Sequence, residues 1–192
     1  MSARRLTENI VPILQKNNRL GLYLDIGANI GLTTLPLLPF FKQVVSFEPN
    51  PNAISLFKEN VNSNTVTLNE CAISNINGKL ILREPNGRSD YSTLSEKRKS
   101  VWSKNKRNTY NDFEVDVFTL DSFNFQDVDL IKIDTEQHEN EVIDGALETI
   151  KRCSPYIFME NKRKEATSAI AKLESLGYKS KKMSADYFLW RD

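Results

Sequence analysis

Residues 23–31 read Tyr23-Leu-Asp-Ile-Gly-Ala-Asn-Ile-Gly31, a short apolar run that stops at an acid and two spaced glycines. An apolar run of this length, beginning near Leu20 and ending at Ile26, predicts a buried strand. Gly27 and Gly31 let the backbone turn tightly and approach a ligand, and a short helix starting near Gly31 would aim its N-terminus at that ligand. Pro36 and Pro39 must end or kink that helix early. Outward from this junction the chain alternates. Residues 3–17 place Leu6, Ile10, Val11 and Leu14 at roughly helical spacing. Gln43 to Phe47 predicts a second buried strand, Pro51 to Asn62 a helix and Val66 to Leu68 the start of a third strand. Asn77-Gly78 is a turn signal that would join Cys71–Ser74 to Lys79–Arg83 as a hairpin. Phe113 to Leu120 alternates like a half-buried strand, Val128 to Ile133 is a central strand, Glu139 to Ile150 a helix and Tyr156 to Met159 another strand. Residues 163–176 form an amphipathic helix closed by Gly177, and Tyr178 and Tyr187 to Trp190 are strand material. This rhythm predicts an α/β, doubly wound, mostly parallel seven-stranded sheet covered on both faces, with an antiparallel C-terminal edge.

Composition narrows the function classes. The 192 residues suit one domain, spanning 1–192, with 40% apolar and 27% charged residues. Lys and Arg number 26 against 25 Asp and Glu, so net charge gives no reason to expect nucleic acid as a partner. Mean hydropathy is −0.45, and the longest nearly apolar stretch, Leu35 to Phe41, is too short and proline-broken for a membrane span. No apolar signal core follows Met1-Ser-Ala-Arg-Arg, so a cytoplasmic protein is expected. Cys71 and Cys153 have no metal-ligand or redox spacing, and one His excludes a His-rich zinc site. One stretch breaks the α/β rhythm: 86–112 carries seven Lys or Arg (Arg88, Lys97, Arg98, Lys99, Lys104, Lys106, Arg107) against three acids, with Tyr91, Trp102 and Tyr110 among them. It is expected to be a mobile basic insertion, with Tyr91 or Trp102 placed to stack on an acceptor.

In a doubly wound sheet the ligand lies beyond the carboxyl ends of the strands, at the topological switch point. A dinucleotide loop uses G-x-G-x-x-G to bring pyrophosphate onto bare backbone; this loop has only Gly27 and Gly31. Asp25 just before them would repel pyrophosphate but suit a ligand carrying an ammonium and a sulfonium, as S-adenosylmethionine does. The next strand ends Ser46-Phe-Glu-Pro-Asn-Pro51, so Glu48 can accept both hydroxyls of an unphosphorylated ribose. An NAD-dependent oxidoreductase on the same layout stays open as an alternative, as does a non-catalytic α/β module binding through the basic insertion.

The chain resembles the FkbM family of S-adenosylmethionine-dependent methyltransferases from about Leu22 to Leu189. The matching pieces are Leu24-Asp-Ile-Gly-Ala-Asn-Ile-Gly31, Phe47-Glu-Pro-Asn-Pro51, Cys71-Ala-Ile-Ser with Asn77-Gly78, Val117-Phe-Thr-Leu-Asp121 and Asp129-Leu-Ile-Lys-Ile-Asp-Thr-Glu-Gln-His-Glu139. The chain departs from the family at Gln137, where a glycine is usual. The resemblance implies a single methyltransferase domain that O-methylates a hydroxyl of a sugar, glycan or related natural product. It implies that Asp25, Gly27 and Gly31 meet the methionine part of the cofactor, Glu48 its ribose, and Ala72 and Ile73 its adenine, although residue type alone favours core packing for Ala72 and Ile73. Ala28, Asn29 and Pro49 complete the two loops, and Asp134 stands at the same sheet end.

Segment 127–148 has eight acids and Lys132 as its only base. Glu139, Glu141 and Glu148 are expected to be solvated at a helix start, whereas Asp134 and Glu136 leave a buried strand at the ligand end. Asp134, Glu136 and His138 are the candidates for taking the acceptor's proton. His138 has the ordinary pKa nearest neutrality, so it is the leading candidate. Glu160 at the next strand tip could also face the acceptor. The acid spacing matches no metal-binding loop, so no metal is expected.

Overall fold

The computed structural model describes residues 3–103, 109–161 and 166–191, with side chains of 101–103 left out of the description. Its strands in chain order are β1 (Leu22–Ile26), β2 (Gln43–Phe47), β3 (Val66–Asn69), β4 (Ala72–Ile73), β5 (Gly78–Pro85), β6 (Tyr110–Phe118), β7 (Leu130–Ile133), β8 (Tyr156–Glu160), β9 (Lys179–Met183) and β10 (Asp186–Trp190). Seven of them form one sheet in the order β3-β2-β1-β7-β8-β10-β9. Every pairing from β3 to β8 is parallel, while β10 runs antiparallel to both β8 and β9. The predicted α/β architecture with its antiparallel C-terminal edge is the observed one.

Strands buried on both faces need apolar side chains pointing both ways, and these have them. Leu24, Ile26, Val45, Phe47, Ile131, Ile133, Ile157 and Met159 pack on one side, against Val142, Ile143, Ile150, Ile170 and Leu173 of the helices. Tyr23, Val44, Leu130, Phe158 and Phe188 pack on the other, against Leu6, Ile10, Leu14, Leu37 and Phe41. The N-terminal helix predicted for 3–17 is one continuous run, α over Ala3–Arg5, π over Leu6–Ile10 and α over Val11–Lys16. Pro12 supplies no amide hydrogen where the π stretch hands over to the last segment.

Four local expectations fail, each for a visible reason. After β1 no α-helix forms: one turn (Leu35 N to Gly31 O, 2.9 Å) leads into a 3-10 turn at Leu35–Leu37, with Pro36 inside it. No helix N-terminus therefore points at the loop. The hairpin across Asn77-Gly78 does not exist either. The second sheet runs β4-β6-β5, so β6 lies between the two strands the turn would have joined. It pairs parallel with β4 (Ala72↔Val117) and antiparallel with β5 (Gly78↔Val117), while Asn77 Oδ1 accepts from Thr119 N at 2.7 Å. Long-range pairing outcompetes a turn that was only permissive. The helix predicted over Glu139–Ile150 breaks into Glu139–Asp144 and Leu147–Cys153. A Cβ on Gly145 would lie 1.9 Å from the Ser74 carbonyl, so the break sits where two backbones touch. Finally, Glu139 is not solvated: it is 4% exposed.

Among the described part of the insertion, Ser89–Tyr91 makes a 3-10 turn, Thr93 bridges to Arg83 and Glu96–Ser103 is helical. Lys104, Lys106 and Arg107 lie outside the described residues, as does the side chain of Trp102. The beginning of the helix predicted over 163–176 lies outside them too; Thr167–Ser175 is observed, and Gly177 follows with φ +88°. Among the described residues no helix is long and apolar enough to cross a membrane.

Candidate active site

The chain runs outward from β1 to β2 and β3, then returns to place β7 on β1's other side. The carboxyl ends of β1 and β7 are thus the switch point where such sheets bind ligands. A cavity of about 510 Å³ opens there, within the usual size of small-molecule sites.

The β1 loop forms one wall. Gly27 has φ +77°, and a Cβ there would lie 2.1 Å from the Asp134 carbonyl, so only glycine fits between the two strand tips. Gly27 N and Ala28 N both donate to Phe47 O, at 3.0 and 3.1 Å. Gly27, Ala28 and Asn29 line the cavity. Gly31 does not; it packs toward Val61 and Phe57. Asp25 does not reach the cavity either. It is fully buried, its Oδ2 accepting from Thr33 Oγ1 (3.0 Å) and Thr34 Oγ1 (2.7 Å), its Oδ1 paired with Lys132 Nζ at 2.9 Å. Asp25 and Gly31 thus support the loop from behind rather than line the cavity.

Lys132 is the residue that sequence reasoning undervalued. Its ammonium also donates to Gly27 O at 2.7 Å and borders the cavity. Burial alone would lower its pKa, but Asp25, Asp134 and Glu48 around it raise it instead, so it stays charged. The signal was present in the chain: a lysine inside an otherwise apolar strand demands a buried acid, and Asp25 sits at the matching register position of β1.

Glu48 closes the β2 side and faces the cavity with Pro49. It is 6% exposed; Oε2 accepts from Asn29 N at 2.7 Å and Oε1 from Asn50 N at 2.9 Å. Burial pushes its pKa up to about 7, against the pull of those two amides. Each oxygen keeps a second lone pair for a hydroxyl. Behind it, Asn50 Oδ1 caps the helix Pro51–Asn60, and Asn50 Nδ2 donates to Glu84 Oε2 (2.7 Å) and Ser92 Oγ (2.8 Å). Ala72 and Ile73 border the cavity and are also buried, so lining and packing are the same role here.

The third wall is the loop after β7. Asp134, Thr135, Glu136 and His138 line the cavity. Glu136 is paired with Arg98 of the insertion. His138 is buried, with Nε2 3.0 Å from Ser74 Oγ and Nδ1 3.7 Å from Glu141 Oε2. Nε2 is thus engaged by Ser74, while Nδ1 lies beyond hydrogen-bond distance of Glu141. Burial, aided by Lys99 and opposed by Glu141, holds its pKa below the ordinary value, so the ring is neutral at pH 7. Glu139 Oε1 accepts from Thr135 N and Gln137 N, both at 3.2 Å, and burial raises its pKa to about 7. Asp134, Glu136 and Glu160 bring carboxylate oxygens within 4.8 Å of one another. Glu160 is 5% exposed and lies beside Asp134 and Glu136 without lining the cavity itself.

The insertion roofs the site. Ser89, Tyr91, Ser92 and Leu94 line the cavity, and Ser89 Oγ donates to Asn29 Oδ1 at 3.0 Å. Tyr91 carries the Arg88 guanidinium 4.4 Å from its ring centre.

This sheet order, with a cavity walled by carboxylates at the switch point, places the chain among the Rossmann-like methyltransferase folds. The methyltransferase FkbM domain family matches residues 25–180, and the chain belongs to that family. It is 28% identical over 172 residues to the 2-O-methyltransferase NoeI of Sinorhizobium fredii, covering 83% of this chain and 70% of that protein. Among solved structures it superposes on a methyltransferase FkbM from Methylobacillus flagellatus with TM-score 0.60 at 14% identity. That match covers 88% of this chain but only 42% of the other, so the chain spans less than half its length. The magnesium protoporphyrin IX methyltransferase of Synechocystis, a structure with bound S-adenosylmethionine, matches at TM-score 0.55 and 10% identity, covering 99% of this chain and 80% of that one. At these identities the structures speak for the fold alone.

Proposed function

We propose that this chain binds S-adenosylmethionine and transfers its methyl group to a hydroxyl of a sugar, glycan or related natural product. The observation that carries the reading is Glu48: a buried carboxylate at the β2 tip, held by two backbone amides and facing a cavity at the switch point. The residues fit the cofactor. Glu48 would accept from the ribose hydroxyls, Ala72 and Ile73 would border the adenine, and Gly27, Ala28 and Asn29 would face the methionine part. Asp134 lends negative charge where a sulfonium and an ammonium would lie. When bound, the cofactor supplies an electrophilic methyl group on a sulfur that leaves with the bonding electrons.

The chain's own contribution is alignment and proton removal. The cavity walls hold the acceptor oxygen in line with the methyl group, which is the main source of rate in such a displacement. An alcohol is a weak nucleophile at neutral pH, so its proton must pass to a base as the new oxygen–carbon bond forms. Asp134 is the base we favour, because it lines the cavity at the carboxyl end of β7, where its carbonyl packs against Gly27 of the loop that would face the methionine part. Tyr91 on the roof offers a ring face to a sugar. A hydroxyl acceptor is favoured by the likeness to NoeI, whose name records 2-O-methylation.

The test is calorimetry with S-adenosylmethionine and S-adenosylhomocysteine, then transfer of labelled methyl to a panel of glycosides and glycans. Binding of both ligands with label in an acceptor ether supports the reading. Absence of binding by either ligand overturns it.

A further inference from the structure

The loop between Asp134 and His138 adopts a backbone its residues do not favour. Glu136 has φ +50° and Gln137 φ +79°, two successive side-chain-bearing residues in the left-handed region. A Cβ makes that conformation costly, and consecutive occurrences persist only where surroundings impose them. Here the surroundings come from the far side of the cavity. Thr93 Oγ1 donates to the Glu136 carbonyl at 2.5 Å, and the Arg98 guanidinium pairs with the Glu136 carboxylate. The Arg98 side chain is only 3% exposed and that of Glu136 18%, so this pair is shielded from water. Thr93 is itself fixed: its backbone exchanges two 3.0 Å hydrogen bonds with Arg83 of β5, and its Oγ1 accepts from Ser95 N at 3.1 Å just before the helix that carries Arg98. On the loop's own side, Gln137 N is held by Glu139 Oε1.

We infer that Arg98 and Thr93 are positioning residues that impose the Glu136–Gln137 turn, and through it set Asp134 and His138 at the acceptor side of the cavity. Glu136 then serves as the handle the insertion grips rather than as an acid or base. The shape of the acceptor wall depends on residues 93–98 being docked, whereas Glu48 is held by the backbone amides of Asn29 and Asn50. The kinetic consequence rests on the methyltransferase reading; the structural one does not.

Amide hydrogen exchange on the full chain tests the structural half without any substrate. Arg98→Met removes the grip, Thr93→Val removes only the hydroxyl, and Gln137→Gly relieves the backbone cost at one of the two residues. Exchange over 135–139 is expected to rise about tenfold or more in Arg98→Met while β7 stays protected. Adding Gln137→Gly to Arg98→Met is expected to recover about threefold or more of that loss. Thr93→Val carries the same comparison should Arg98→Met fail to fold. S-adenosylhomocysteine affinity should stay within about threefold of the parent in each folded variant, and kcat for labelled methyl transfer should fall with little change in the KM for S-adenosylmethionine. Unchanged exchange over 135–139, an equal rise in β7, or no recovery with Gln137→Gly overturns the assignment. Failure of the parent to bind S-adenosylhomocysteine would sink the methyltransferase reading and leave the exchange result to stand or fall by itself.

Discussion

The two carboxylates at the edges of the cavity, Glu48 and Glu136, are held in opposite ways. Glu48 is gripped by the amides of Asn29 and Asn50, which belong to the tips of two adjacent parallel strands. Its setting is built by the sheet itself. Glu136 is gripped by Arg98, 38 positions earlier in an insertion outside the main sheet, on a backbone that disfavours its own conformation. One wall is a product of the scaffold, and the other is assembled by docking. The insertion meets both walls, through Ser89 and Ser92 at Asn29 and Asn50 and through Thr93 and Arg98 at Glu136, but only at Glu136 does it grip the carboxylate itself.

The sharpest way to break this comparison is at the docked wall. Asp134→Asn keeps the size and much of the hydrogen bonding but removes the base, so methyl transfer should fall by about 10²–10⁴. Affinity for S-adenosylhomocysteine should change by less than about tenfold, since Glu48 is untouched and only the charge Asp134 lends to the ammonium is lost. Near-parent turnover in this variant would remove Asp134 from the mechanism.

The scaffold wall predicts a different signature. Glu48→Ala should weaken S-adenosylhomocysteine by roughly 1.5–3 kcal/mol through loss of charge-assisted hydrogen bonds. The pH dependence follows from the carboxyl's pKa of about 7 in the free protein. Hydroxyls donating to Glu48 favour its ionised form, so below that pH binding must expel a proton. Affinity should therefore fall on acidification below pH 7 and level off above it, approaching about tenfold per pH unit well below. Glu48→Gln should flatten that profile, and calorimetry at pH 6 and 8 reads both. A pH-independent parent would mean the hydroxyls do not meet this carboxylate.

Gly145→Ala probes the contact beneath the docked wall. The new Cβ would meet the Ser74 carbonyl, a backbone atom that cannot swing aside, and Ser74 in turn holds His138. A stability loss of about 1–3 kcal/mol in urea is expected, with turnover affected before cofactor affinity. A fully stable variant would show that the two backbones can part freely.

The smallest effect belongs to His138. Its Nε2 already serves Ser74, and burial keeps the ring neutral, so His138→Ala should cost less than about tenfold in rate. A loss of about 10²–10⁴ in this variant, with a mild Asp134→Asn, would reverse the two roles.

Much of this was legible in the chain because it is local. The β1 loop, Glu48 three residues before the Pro51 helix, and the acids following an apolar strand all lie at strand ends, where alternation of elements already locates the ligand side. Gly27 and the left-handed Asn29 follow from short-range backbone demands. What misled was also local. Asn77-Gly78 permits a hairpin, but a turn only permits; β6 supplied better pairing for both flanking strands. Glu139 looked like an ordinary acid at a helix start, yet its position under Thr135 and Gln137 buries it. His138 looked like a base because its ordinary pKa is near neutral, a property that says nothing about where its nitrogens point.

The sequence by itself determined the α/β class, the order of strands and helices along most of the chain, and the end of the sheet where chemistry belongs. Those follow from periodicity and chain direction, which are properties of neighbouring residues. Only the tertiary structure decided which charges are spent and which face the cavity. Asp25 and Lys132, 107 positions apart, meet because β1 and β7 are adjacent in register, and Asp25 is spent on that pairing rather than lining the cavity. Arg98 and Glu136 meet because the insertion folds back over the loop. Whether an ionisable group is cancelled, buried or presented depends on the partner that space brings to it, and that partner is written nowhere near it in the chain.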